Sequence, residues 1–303
     1  MSESSLSTED LRVVAAPRPL RRRRGVSRWG RNVGYCYLGL VILFIYAPIL
    51  VVMGASVDPG HFVSTRAFLQ FPPNGFSLRW YFSIAPELWA SLWFSLKISA
   101  LSAFTSAVIG LMAAFGLVRG SFPGKALVSA LFRAPLQIPF IVTGVAFLQT
   151  YYLLSANTGL ALQGTLTGLF LGNLFVSIPY AIGSISVSLA RLNPRLEEAA
   201  LTLGASPWRA LWRVVLPLIM PGLYGGALFA FLITFTEVTI SVFLSGANLL
   251  PFSVYVFTSV TTDMEPTIPA MSTIVFIGSL LLVYGVQRVL GMETLLRSGG
   301  TSS

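Results

Sequence analysis

The chain has 303 residues, of which 54% are hydrophobic and only 10% charged, with a formal net charge of +9. So few charges cannot clothe a water-soluble globule of this size, which makes lipid part of the solvent of a single membrane domain. One cysteine, Cys36, and one histidine, His61, exclude an internal disulfide and a zinc site, and no metal or cofactor is expected.

In chain order, residues 1–32 form a basic arm. Arg12, Arg18, Arg21, Arg22, Arg23, Arg24, Arg28 and Arg31 all precede the first apolar run. Such a block beside a membrane span reads as a topology determinant that holds the N-terminus in the cytoplasm, not as a nucleic-acid site, and is compatible with contact to anionic lipid.

Residues 33–290 are expected to form six transmembrane helices: Val33 to Val57, Ser91 to Val118, Ala126 to Leu154, Thr165 to Ala190, Pro217 to Leu244 and Ile268 to Leu290. Each reaches the length of about 20 residues that a bilayer crossing needs. The first exceeds the core of a signal peptide, about 7 to 15 residues, and is expected to stay as an anchor.

Lys and Arg gather in the connections Arg119 to Lys125 and Arg191 to Arg213. They are sparse or missing in the alternate ones, Ser155 to Gly164 and Ser245 to Thr267. This bias puts both termini inside, with 291–303 as a cytoplasmic tail. Pro48, Pro135, Pro139 and Pro179 mark expected kinks. Gly164, Gly168 and Gly172 form a small-residue stripe for close helix approach.

The most informative segment is polar and lies between the fourth and fifth spans, within 191–216. Asn193 caps a first short helix with Pro194 at its first position, and Glu197 and Glu198 sit near its positive end. Gly204 ends that helix where a left-handed residue is wanted. Ser206 caps a second helix that opens with Pro207 and runs into Leu216 and Pro217. A capped helical elbow of this kind is built to dock on something.

Glu198-Ala199-Ala200, three residues, Gly204, nine residues, then Val214-Val215-Leu216-Pro217 is similar to the EAA signature of the permeases of ABC importers, with Val214 where isoleucine is commoner. The resemblance extends over nearly the whole chain from Val33. The segments Phe71-Pro72-Pro73-Asn74-Gly75-Phe76-Ser77-Leu78-Arg79-Trp80-Tyr81 and Phe122-Pro123-Gly124-Lys125 resemble the spermidine/putrescine-type branch.

The resemblance implies an all-α type I importer permease fold in a bacterial inner membrane, with a cytoplasmic coupling helix. Glu197, Glu198, Ala199, Ala200, Gly204, Ser206, Leu216 and Pro217 would then meet an ATP-binding cassette subunit. It also implies two ATPase subunits, a second permease subunit and a periplasmic binding protein. The solute it implies is a polyamine; ferric ion, phosphonate and opine are importable by the same machinery. An ATP-independent channel or secondary transporter is the competing class, but gives no reason for the elbow.

Gly120-Ser121-Phe122-Pro123-Gly124-Lys125-Ala126 suggests a phosphate loop but is one residue short, and Ala126 replaces the required hydroxyl. Energy is therefore expected from another chain, and no catalytic residues stand out. Within the fifth span, Gly226, Ala230, Thr234, Glu237 and Ser241 share an arc of roughly 80° at about 100° per residue. Thr234, Glu237 and Ser241 are expected to line a translocation path, with pairing of Glu237 to Lys97 as the structural alternative. Asp263 and Glu265 give the outer side a slightly acidic mouth.

Overall fold

The structure is a computed structural model that describes residues 28–59, 73–246, 249–262 and 265–298. The basic arm up to Ser27, His61 and Asp263 lie outside them. The chain divides into two compact units, Met1–Leu50 and Val51–Ser303. The first contains most of helix α1 (Arg28–Ser56), whose 29 residues continue through Pro48 and into the second unit.

In the second unit, α2 (Arg79–Phe82) is tied to the end of α1 by Trp80 Nε1, which donates to the Asp58 carbonyl at 2.8 Å, and by a 2.8 Å hydroxyl contact between Ser56 and Tyr81. Helix α3 (Pro86–Arg119) follows, then α4 (Lys125–Arg133) and a 3-10 turn at Ala134–Leu136. Next come α5 (Phe140–Thr158) and α6 (Leu166–Arg191). Two short helices, α7 (Arg195–Thr202) and α8 (Pro207–Ala210), lead through a π turn at Leu211–Val215 into α9 (Leu216–Thr236). The chain ends on α10 (Thr239–Leu244), α11 (Phe252–Thr262) and α12 (Thr267–Ser298).

Among the described residues five helices are long and apolar enough to cross a bilayer, and a bent pair makes a sixth span. The expected third span is that pair. Lys125–Leu136 and Phe140–Thr158 meet at 100°, because Pro135 tightens the chain into a 3-10 turn and Pro139 occupies the cap of α5 with no N–H to continue a helix. The expected fifth span, Pro217 to Leu244, is corrected in two ways. It starts earlier, since α8 and α9 are continuous across the π turn. It also breaks after Thr236. In a regular helix the ring of Pro217 would press against the carbonyl one turn back, and the wider turn that precedes it is closed by the Leu216 N–H on the Leu211 carbonyl. The connection read as a loop from Ser245 to Thr267 carries α11, and α12 runs to Ser298, past the expected end at Leu290.

Helices α3, α6 and α9 pack on one another and form the core. Serines and glycines allow the approach. At Gly110 a Cβ would lie 2.9 Å from the Ala181 Cβ, and at Gly222 it would collide with the Ser188 hydroxyl. Ser184 Oγ donates to the Gly222 carbonyl at 2.9 Å. Along the outer face of α3, Trp93, Leu101, Phe104, Val108 and Met112 are exposed, as a lipid solvent requires. The glycine stripe is corrected at one end: Gly172 packs against Leu244 and Ile240 of α10, but Gly164 precedes α6 in a left-handed turn at φ 72°.

This packing makes a differential prediction. Gly222→Val forces α6 and α9 apart, an overpacking cost of about 1–3 kcal/mol, whereas Gly116→Val on α3 meets nothing within 4 Å. Thermal unfolding of the purified protein in detergent should show a lowered midpoint for Gly222→Val alone; equal midpoints would refute the close-contact account.

Candidate functional site

The elbow starts where α6 ends. Leu192 leaves the helix in extended conformation, and Asn193 Oδ1 accepts from the Arg195 N–H at 3.1 Å, capping α7 as its sequence indicates. Glu197 and Glu198 occupy the first turn, where a negative charge meets the positive end of the helix dipole. At the other end, the Gly204 N–H donates to the Leu201 carbonyl at 2.9 Å and the Ala205 N–H to the Ala200 carbonyl at 3.0 Å. That pair of bonds is a Schellman closure, and it needs the left-handed residue it has in Gly204, at φ 86°. Ser206 Oγ then accepts from the Arg209 N–H at 3.3 Å, and Pro207 opens α8.

Glu198, Ala199, Gly204 and Ser206 are exposed, and Glu197 and Ala200 half-buried. Leu216 is buried and Pro217 half-buried, so the last two residues of the motif root the elbow in the core. Leu216 packs there with Val215 and Ile219 against Ala114, Ala181, Ile185 and Leu189.

Four further residues complete this surface. Leu203 is 88% exposed, and Trp208 and Trp212 are exposed beside it in sequence, their rings edge to face at 5.5 Å. Such apolar side chains on a polar elbow mark a contact surface. Arg119, the last residue of α3, lies 4.0 Å from Glu197 in the ion pair of the described residues. It links the foot of α3 to the first turn of α7. The Trp pair at i, i+4 was visible in the sequence as a one-sided aromatic pair; the Arg119 link joins residues far apart in the chain and carries no local signal.

Of the three residues expected to line a path, Thr234, Glu237 and Ser241 are all buried within the chain. The helix stops at Glu237, whose backbone is extended at ψ 120°. Its carboxylate turns forward and accepts from the Ile240 N–H at 2.7 Å, the Ser241 N–H at 2.9 Å and the Ser241 hydroxyl at 3.0 Å. Glu237 therefore caps α10, supplying an acceptor at a break where the N–H groups of a new helix have no carbonyl of their own. Its own carbonyl accepts from Ser253 Oγ of α11 at 2.9 Å.

The alternative pairing with Lys97 is not formed: Lys97 is on the exposed face of α3, and among the described residues the one ion pair within 4.0 Å is Arg119–Glu197. Ser95 Oγ of α3 accepts from the Phe252 N–H at 2.7 Å and so caps α11. At the acidic mouth, Glu265 accepts from the Thr267 hydroxyl at 3.2 Å at the start of α12.

This architecture has counterparts among known proteins. A family model described as the binding-protein-dependent transport system inner membrane component matches residues 106–292. The putrescine transport system permease protein PotI of Escherichia coli (strain K12) is 31% identical over 235 residues, 77% of this chain and 81% of that protein. The spermidine/putrescine transport system permease protein PotC of the same strain is 26% identical over 264 residues, 86% of this chain and 94% of that one. A chain from the crystal structure of a bacterial ABC transporter involved in the import of the acidic polysaccharide alginate is 18% identical. It superposes with a TM-score of 0.68, covering 86% of this chain and 98% of that chain, and shares the fold. By the family model that matches residues 106–292 and the 31% identity to PotI, the chain belongs to the inner-membrane components of binding-protein-dependent transport systems, the permeases of ABC importers.

Proposed function

We propose that this permease subunit imports a polyamine and is driven through its elbow by a separate ATP-binding cassette subunit. The single observation that carries the drive is the elbow itself: a rigid, doubly capped helix pair with Leu203, Trp208 and Trp212 exposed on it and Leu216 rooted in the core. Glu197, Glu198, Ala199, Ala200, Gly204 and Ser206 form the docking surface, and Leu216 and Pro217 carry its displacement into α9. The polyamine follows from PotI and PotC, whose names state putrescine and spermidine transport. A second permease subunit and a periplasmic binding protein complete the importer, and ATP is hydrolysed on the cassette chains.

The broken fifth span is the second element. Non-helical backbone at membrane depth is tolerated where it is buried in protein or borders a watery cavity, and interrupted helices place solute sites in other transporters. Thr234, Glu237 and Ser241 shape the wall of the path at this break. The domain partition proposed is a cytoplasmic arm at 1–32, a permease domain at 33–290 and a tail at 291–303; helix α1 begins within the arm, at Arg28, and α12 crosses the final boundary.

Two measurements test this. In vesicles reconstituted with the cassette and binding proteins, labelled putrescine should enter only with ATP. Gly204→Val should leave membrane insertion intact but cut cassette association and uptake by about tenfold or more, since a β-branched residue is strained at this turn. Undiminished uptake by that variant would remove the elbow from the mechanism, and ATP-driven uptake of another solute but no polyamine would overturn the substrate.

Orientation is tested on a background with Cys36 replaced, where a cysteine at Asn74 should react with an impermeant reagent from outside and one at Ser298 only after permeabilisation.

Glu237→Gln puts an amide NH2 toward one of the two backbone donors of α10, leaving a buried donor unmatched at a cost of about 1–3 kcal/mol. Assembled yield and uptake should fall together; full stability of Glu237→Gln would show that the cap is dispensable.

A further inference from the structure

We propose that the contact of α3, α6 and α9 contains an internal water-binding site formed by Ser99, Ser102, Asn173 and Thr234. All four residues are more than nine-tenths buried, and Ser99 Oγ, Ser102 Oγ, Asn173 Oδ1 and Thr234 Oγ1 have no hydrogen-bond partner within the protein.

The register of the helices brings the four together. Ser106 and Ser177 touch through their hydroxyls at 2.7 Å, and Gly110 faces Ala181. Both pairs are offset by 71 residues, so α3 and α6 run parallel, and one turn back Ser102 stands opposite Asn173. Ser99 lies on the same face of α3, three residues earlier. Helix α9 runs the other way: Gly222 meets Ser188 and Ser184, and Gly226 meets Ala181 and Ser184. Continued by two turns, that antiparallel register places Thr234 at the level of Asn173.

The side chains are set for a ligand and not for their own backbones. Several hydroxyls in the apolar helices donate to the carbonyl four residues back, as Thr105, Thr150 and Thr236 do at 2.7 to 2.9 Å. Ser99, Ser102 and Thr234 make no such bond. The amide of Asn173 is fixed, because its Nδ2 donates to the Leu169 carbonyl at 3.0 Å; the oxygen is thus the end left over.

Three hydroxyls and one acceptor-only oxygen complement water, which donates to Asn173 Oδ1 and both accepts from and donates to hydroxyls, within the two to four partners a buried water needs. The set is neutral. Glu237, the nearest acid along α9, has its carboxylate occupied by Ile240 and Ser241, so nothing charged favours a cation. Apolar clusters flank the layer, with Ala114, Ile185 and Ile219 toward the elbow and Ile98, Leu169 and Ile240 on the other side.

The test is a structure of the full-length chain in lipid nanodiscs, with its co-purifying subunits, at a resolution that shows ordered water. A density peak is expected at about 2.7 to 3.2 Å from Asn173 Oδ1 and from at least one of the three hydroxyls, unchanged when choline replaces sodium and potassium. A peak that disappears in choline would overturn water in favour of a cation. Hydroxyls turned onto their own helix carbonyls with no peak would overturn the site altogether. Thr234→Val and Asn173→Leu provide a second readout. If both bind the same water, their losses of thermal midpoint are less than additive in the double variant; strictly additive losses refute a shared ligand.

Discussion

Inside a bilayer no bulk water is present to receive an N–H or C=O that loses its helical partner, and each such group costs several kcal/mol if nothing replaces it. The second unit is arranged around that constraint. At three of its breaks a side chain takes over from the backbone: Glu237 receives N–H groups at the start of α10, Ser95 reaches from α3 to receive that of Phe252 in α11, and Thr165 receives that of Gly168 at the start of α6. A polar residue in an apolar segment is therefore a structural fixture here before it is anything else. That ordering explains why Glu237 is buried.

The same economy of side chains joins the elbow to the core. Small residues let α3, α6 and α9 approach until backbone and side chains interlock, so displacement of one helix is felt by the other two. The elbow leaves this trio at Arg191 and re-enters it at Leu216, and the Arg119–Glu197 pair adds a contact with the foot of α3. The pair joins two half-buried side chains at 4.0 Å and links α7 to the helix beneath it. A force on the elbow is thus applied to all three core helices.

Much of this was legible in the sequence because it is local. The caps at Asn193 and Ser206, the left-handed Gly204 and the prolines flanking the third-span bend are consequences of single residues acting on their neighbours. The site residues were legible to different degrees. The helical elbow follows from its caps and turn residues, while a docking role for its surface is what the family resemblance implies. The fate of Glu237 does not, because a helical wheel assumes the helix continues, and here the carboxylate itself accepts the bonds that let it stop. Helix α11 escaped for a related reason: 11 residues are too few to register as a span, and its anchor is Ser95, more than 150 positions earlier. Side chains that meet across the core by register, such as Ser106 and Ser177, are beyond any local pattern.

The exposure of Leu203, Trp208 and Trp212 also bears on the life of the chain before it has partners. A newly inserted subunit presents an apolar, solvent-facing patch on an otherwise finished fold, which is the feature by which holdase chaperones and membrane proteases distinguish orphaned subunits from assembled ones. Covering the patch would hide that mark. If the elbow is the docking surface proposed above, copies made in excess of their partners keep the patch uncovered and are open to removal.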